Sequence, residues 1–267
     1  MEVTQVFGYI GALMIGVVLG LIGGGGSILT VPVLVYLLHI NPVTATAYSL
    51  FVVGTSSLVG TLKNIKSKKV DFKTAIIFAI PAFIAVYLTR KFVVPAIPEN
   101  IYTIGDFLIT KDIAIMIFFA MIMLLSSVSM IKGKCVNCND EDVEVNYNIP
   151  LIIIEGLVVG LITGLVGAGG GFLIIPALVM LAKLPMKKAV ATSLLIIAIK
   201  SLIGFIGDIE NLEIEWNFLL LFTSFSIVGM FIGIYLNKFI QGEKLKKGFG
   251  WFVLFMGVYI LIKEFTR

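Results

Sequence analysis

Two glycine runs stand in otherwise apolar sequence: Gly23, Gly24, Gly25 and Gly26, and then Gly167, Gly169, Gly170 and Gly171 around Ala168. Glycine lets the chain reverse sharply and leaves backbone amides uncovered. A helix that starts at such a reversal points unpaired N–H groups and the positive end of its dipole forward, an arrangement that suits an anion. Hydroxyl donors follow at equivalent places, in Ala47-Tyr48-Ser49 and in Ala191-Thr192-Ser193, so Ser49, Thr192 and Ser193 join the candidate substrate-binding set. The same groups would serve equally in hydrogen bonds between helices.

Two ionisable groups lie inside long apolar runs. Lys200 sits in SLLIIAIKSLIGFIGD, eight residues before Asp208. An ammonium in hydrocarbon costs about 2.5 to 3.5 kcal/mol, enough to demand a partner or a purpose. It either supplies charge to an anion or pairs with Asp208 and reaches for the surface. Glu155, six residues into its run, is the coupling candidate: it carries a proton, neutralises Lys200, or lies at the interface. Cys135 and Cys138 form the one C-x-x-C, which offers two of the four ligands zinc normally takes. A metal site there would need a second subunit, a redox or sulfur relay is the other chemistry open to it, and an ordinary exposed loop is the plain alternative. His39, the one histidine, belongs to no motif. No Ser-His-Asp set, HExxH, Walker motif or dinucleotide fingerprint is present, so no cofactor, no resident metal and no enzymatic activity is expected.

The elements that must hold these groups are membrane helices. The chain is 59% hydrophobic and 13% charged, with a mean hydropathy of +1.08, too little polar residue to cover a soluble globule of 267 residues. Apolar stretches run over 5 to 22, 28 to 38, 43 to 62, 74 to 94, 112 to 131, 149 to 166, 172 to 182, 189 to 207, 217 to 240 and 248 to 262. Most match the ~20 helical residues a bilayer core requires, and none alternates as a barrel strand would. Glu2 is the only charge before the first stretch, so a cleaved signal peptide is not expected. The net charge of +4 gathers in short loops, which speaks for membrane topology rather than nucleic-acid binding.

The chain repeats itself. GLIGGGGSILTVP, ending at Pro32, aligns with GLVGAGGGFLIIP, ending at Pro176, at an offset of 144, and 18 of 45 positions from Gly16 to Gly60 are identical in that register. Leucine-rich composition does not produce a shared glycine cluster followed by proline at one distance. Residues 1 to 132 form the first repeat, 133 to 148 a polar linker, and 149 to 267 the second repeat. The loop Lys63 to Lys73 is basic and its counterpart Asp208 to Trp216 is acidic, so the positive-inside rule turns the repeats upside down with respect to each other. Inversion needs an odd number of crossings per half. A re-entrant hairpin at each glycine run plus three spanning helices supplies it, and puts 14 of the 20 basic residues inside against 5 outside, with Arg90 and Lys91 in the outer set. The linker is then cytoplasmic and both termini are outside. The second arms, 28 to 38 and 172 to 182, would reach about half the membrane, with Pro32 and Pro176 in their first turns.

On these motifs, together with ATAYSL and AVATSLLIIAIKSLIGFIGD, the chain resembles the sulfite exporter TauE/SafE-like family, also called the toluene sulfonate uptake permease family. The resemblance spans both halves. It implies a secondary transporter, often an exporter, of sulfur-containing anions such as sulfite or organosulfonates. Lys200 is a departure, standing where the family commonly has a small polar residue such as asparagine. A passive anion channel, and less so a redox or sulfur relay at Cys135 and Cys138, remain the alternatives. The partners expected are a small anionic substrate and the lipid bilayer, with a homodimer allowed and no nucleic acid.

Overall fold

The computed structural model describes residues 3–24, 26–66, 70–104, 107–132, 149–167, 170–180, 184–240 and 242–266. The first half runs α1 (Val3–Ile22), α2 (Gly26–Pro32) with a π turn (Val33–Leu37), α3 (Pro42–Lys66), α4 (Phe72–Leu88), a second π turn (Thr89–Val93), α5 (Val94–Ala96) and α6 (Lys111–Lys132). The second half holds α7 (Ile149–Val166), α8 (Gly171–Met180), α9 (Met186–Ile209), α10 (Trp216–Asn237) and α11 (Gly242–Phe265). A two-stranded antiparallel hairpin, β1 (Asn100–Ile104) and β2 (Phe107–Thr110), interrupts the loop before α6. Apart from that hairpin the fold is the all-helical one expected, a polytopic membrane protein.

Among the described residues, six helices are long and apolar enough to cross a bilayer: Pro42–Lys66, Phe72–Ala96, Lys111–Lys132, Ile149–Val166, Lys187–Ile209 and Trp216–Asn237. Their outward faces are apolar. Along α4, Phe72, Ile76, Ile80, Ile84 and Leu88 recur every fourth residue and are all exposed, while Ala75, Phe78, Ala79, Ala82 and Val86 between them are buried. A continuous exposed apolar stripe of this kind has lipid as its solvent.

The first glycine-broken pair folds back on itself. A Cβ on Gly8 would meet Leu38 and one on Gly11 would meet Val33, so residues 26–38 return antiparallel along α1. The arm of seven α and five π residues is about 18 Å long at 1.5 Å per residue, roughly half a bilayer core. Pro32 is the last residue of α2 and Pro176 the sixth of α8, so neither occupies the first turn expected for it. The missing Pro32 N–H coincides with the switch from α to π winding at Val33, a wider turn that tolerates a lost bond. Pro95, by contrast, comes after the other π turn, in α5.

Packing repeats with the sequence. α1 lies against α10, and the equivalent α7 lies against α4; α3 crosses α9, and α6 packs on α11. Glycine makes the closest of these contacts: Gly16 and Gly20 approach the backbone of Ser226, Met230 and Gly233, and Gly156 and Gly160 approach that of Phe78 and Ala82. Gly16 and Gly160 are partners in the repeat, so one packing solution is used twice.

Candidate functional site

Both glycine turns use the left-handed backbone, with φ 79° at Gly23, 68° at Gly167 and 64° at Gly170. Gly23 and Gly167 are repeat partners, and the sterics around them correspond: Gly23 abuts Val190, and Gly167 abuts Thr46, itself the repeat partner of Val190. The two turns meet. A Cβ built on Gly24 would stand 2.4 Å from Gly171 Cα, and one built on Gly171 would stand 2.1 Å from Gly24 Cα. Gly26 closes against Ile15 and Leu19. All six described candidate glycines are buried, so the crossing point of the two halves is a backbone-to-backbone contact. Gly25 and Gly169 lie outside the described residues, as do Cys135, Cys138 and the whole linker 133–148.

Lys200 is brought to this crossing. Its side chain is 1% exposed, its Nζ donates to Thr163 Oγ1 at 2.8 Å, and a Cβ on Gly170 would stand 2.5 Å from that nitrogen. It does not reach the surface and it does not pair with Asp208, whose carboxylate belongs to another cation. Nor does Glu155 neutralise it: among the described residues no ion pair joins them, and Glu155 lies two turns before Thr163 on α7, about 12 Å along the axis. Glu155 is half-buried, and its Oε1 has no hydrogen-bond partner among the described residues. An ammonium offers three donors, and Thr163 takes one. The repeat partner of Lys200 is Ser56, whose Oγ is 3.0 Å from Ser226 Oγ, so the positive charge is confined to one side of the pseudo-symmetric crossing.

The hydroxyls divide. Ser193 Oγ donates to Val190 O at 2.9 Å and stands 3.3 Å from Gly23 O, which ties α9 to the first glycine turn. Ser49 is wholly buried and its Oγ has no partner among the described residues. Thr192 accepts the Asp71 N–H at 3.0 Å and thereby anchors the start of α4. Tyr48 accepts the Glu215 N–H at 2.8 Å.

Arg90, expected in an outer loop, is buried. It lies in the π turn after α4, 0% exposed, with Nε donating to Asp208 Oδ2 at 2.8 Å and Nη2 to Thr46 Oγ1 at 3.0 Å. Thr46 in turn covers Gly167. The signal was present: Arg90 falls within the apolar run 74 to 94, four residues short of its end, and a carboxylate waited at the end of another run. The pairing itself is a tertiary fact that no local spacing encodes.

The model of the family described as Sulfite exporter TauE/SafE matches residues 9–260. The chain belongs to that family. A probable membrane transporter protein of Xylella fastidiosa is 25% identical across 95% of this chain and 93% of its own. The probable membrane transporter protein YunE of Bacillus subtilis is 29% identical across 87% and 88%. The corresponding MJ0441 of Methanocaldococcus jannaschii is 28% identical across 73% and 70%. No solved structure matches the chain. A member of this family with six apolar spans among its described residues is a multi-pass membrane transporter.

Proposed function

We propose that the chain is a gradient-driven carrier, working as an exporter, of small sulfur-containing anions such as sulfite or organosulfonates, held at the glycine crossing with Lys200 as their counter-charge. The observation that carries this reading is the Lys200 ammonium: buried, hydrogen-bonded to Thr163, beside the Gly170 turn and without an ion-pair partner among the described residues. A cation so placed costs free energy that an anionic ligand would return. Ser49, wholly buried with its Oγ unpartnered among the described residues, is the candidate neutral donor. The contact between Gly24 and Gly171 closes the route between the halves, which favours a carrier that alternates its access over a channel that stands open. The proposed orientation places the linker 133–148 in the cytoplasm and both termini outside, with the two repeats inverted.

A melting-temperature screen of the purified protein over sulfite, sulfate, thiosulfate and methanesulfonate tests the substrate class. A ligand present at a hundred times its dissociation constant stabilises by about 2.7 kcal/mol. Sulfite or a sulfonate should raise Tm and chloride should not; indifference to every sulfur anion removes the reading.

A further inference from the structure

At the end of the bundle where α5, the start of α6 and the end of α9 meet, a cavity of ≈ 250 Å³ opens between Asn41, Arg90, Glu99, Lys111, Asp112, Asp208 and Asn211. That is several times the ~30 Å³ a water claims in the liquid, room for a small anion and some of its hydration. We propose that this cavity is an anion-docking vestibule, a second oxyanion subsite in series with the glycine crossing; the proposal rests on the transport reading above.

Three carboxylates and two cations line the space, and their pairing decides what it attracts. Asp208 is held by Arg90 at 2.8 Å, and Asp112 accepts from Asn41 Nδ2 at 2.9 Å. Glu99 is exposed at the rim. Both cations retain unused donors. Arg90 is wholly buried, and its Nη1 has no hydrogen-bond partner among the described residues, although Nε and Nη2 are engaged. Lys111 is 6% exposed, and no ion pair engages its ammonium among the described residues. A buried guanidinium with an unmade N–H is costly, and the fork of Arg90 suits an oxyanion with two acceptor oxygens. The vestibule also leads somewhere. Arg90 Nη2 holds Thr46, and Thr46 packs on Gly167, so an anion at Arg90 stands one side chain away from the second glycine turn. Releasing Thr46 or Asp208 to bind the anion would loosen the cover of that turn, which gives arrival at the vestibule a way to open the crossing.

The test uses the full chain, in nanodiscs for calorimetry with methanesulfonate and sulfite and in proteoliposomes for flux of the same anions. Lys111→Gln breaks no ion pair and should raise both Kd and KM roughly tenfold, the usual worth of a charged hydrogen bond, with Lys111→Arg restoring most of the loss. The double variant Arg90→Met with Asp208→Leu removes the buried pair together and should weaken binding further; if it fails to fold, Lys111→Gln and its rescue decide. Wild-type Kd and KM in Lys111→Gln, with flux intact, overturn the vestibule and leave the transport reading standing. Binding that depends on Lys111 without any flux upholds the vestibule and removes the transport reading. Stabilisation by sodium that disappears in the double variant, with no response to either anion, would assign the cavity to a cation and overturn the proposal.

Discussion

Substituting Gly171 by alanine tests the crossing where the two halves touch. The added Cβ would lie 2.1 Å from Gly24 Cα, 2.8 Å from Gly24 O and 2.7 Å from Ile197 Cδ1. Carbon atoms sit comfortably at about 3.5 to 4.0 Å, so the closest pair falls short by roughly 1.4 Å or more. Two of the three neighbours are backbone atoms, which no rotamer change can move. Overpacking of a tight interior costs about 1 to 3 kcal/mol, and a clash against backbone belongs at the upper end of that range. At about 2 to 4 °C per kcal/mol for a chain of this size class, Tm should fall by roughly 6 to 12 °C. Gly248→Ala is the matched control: it lies on α11 with nothing within 4 Å of its Cβ position, and alanine there should be neutral or stabilising by up to about 1 kcal/mol. Thermal unfolding in detergent compares the two, and flux per folded molecule in proteoliposomes should drop for Gly171→Ala and hold for Gly248→Ala. A Gly171→Ala protein with wild-type Tm and full flux would refute the claim that the halves meet at this contact.

Lys200→Met removes the buried charge at similar volume, so the protein should keep or gain stability while flux falls at least tenfold; a large loss of Tm would mean that the ammonium is a structural strut instead. Arg90→Met alone leaves Asp208 buried and unpaired and should cost about 3 to 5 kcal/mol, much of which Arg90→Met with Asp208→Leu should recover; a double-variant cycle showing no coupling would deny the ion pair. Replacing Cys135 and Cys138 by serine should leave sulfite flux unchanged, and its loss would revive the relay that the sequence left open.

Much of the architecture was legible because lipid enforces simple rules. Among the described residues the ten apolar stretches correspond to helices of the fold, with ends displaced by up to the six residues by which α11 begins early at Gly242, since hydrocarbon admits only chains that satisfy their own backbone. The glycine repeat located the crossing, because positive φ and backbone contact both demand glycine, and Gly23, Gly24, Gly167 and Gly171 meet these demands. What escaped was tertiary. Thr163 is an ordinary residue of an apolar helix until Lys200 reaches it from 37 positions away. Arg90 looked like an interfacial residue because basic side chains near helix ends usually are. Only the π turn before Pro95, and Asp208 arriving from α9, turn it inward. Pro32 and Pro176 depart from the first-turn expectation in different ways: Pro32 closes α2 directly before a π turn, whereas α8 carries Pro176 in its interior with no π turn.

The central claim is that a small sulfur oxyanion crosses the bilayer through this protein under the charge of Lys200. Reconstitution into sealed liposomes preloaded with labelled sulfite, followed by efflux against unlabelled sulfite or methanesulfonate outside, measures it directly. Efflux should saturate, should accelerate with exchangeable anion on the far side, and should collapse in a folded Lys200→Met protein. Efflux no faster than from empty liposomes, or equal in wild type and Lys200→Met, would contradict it.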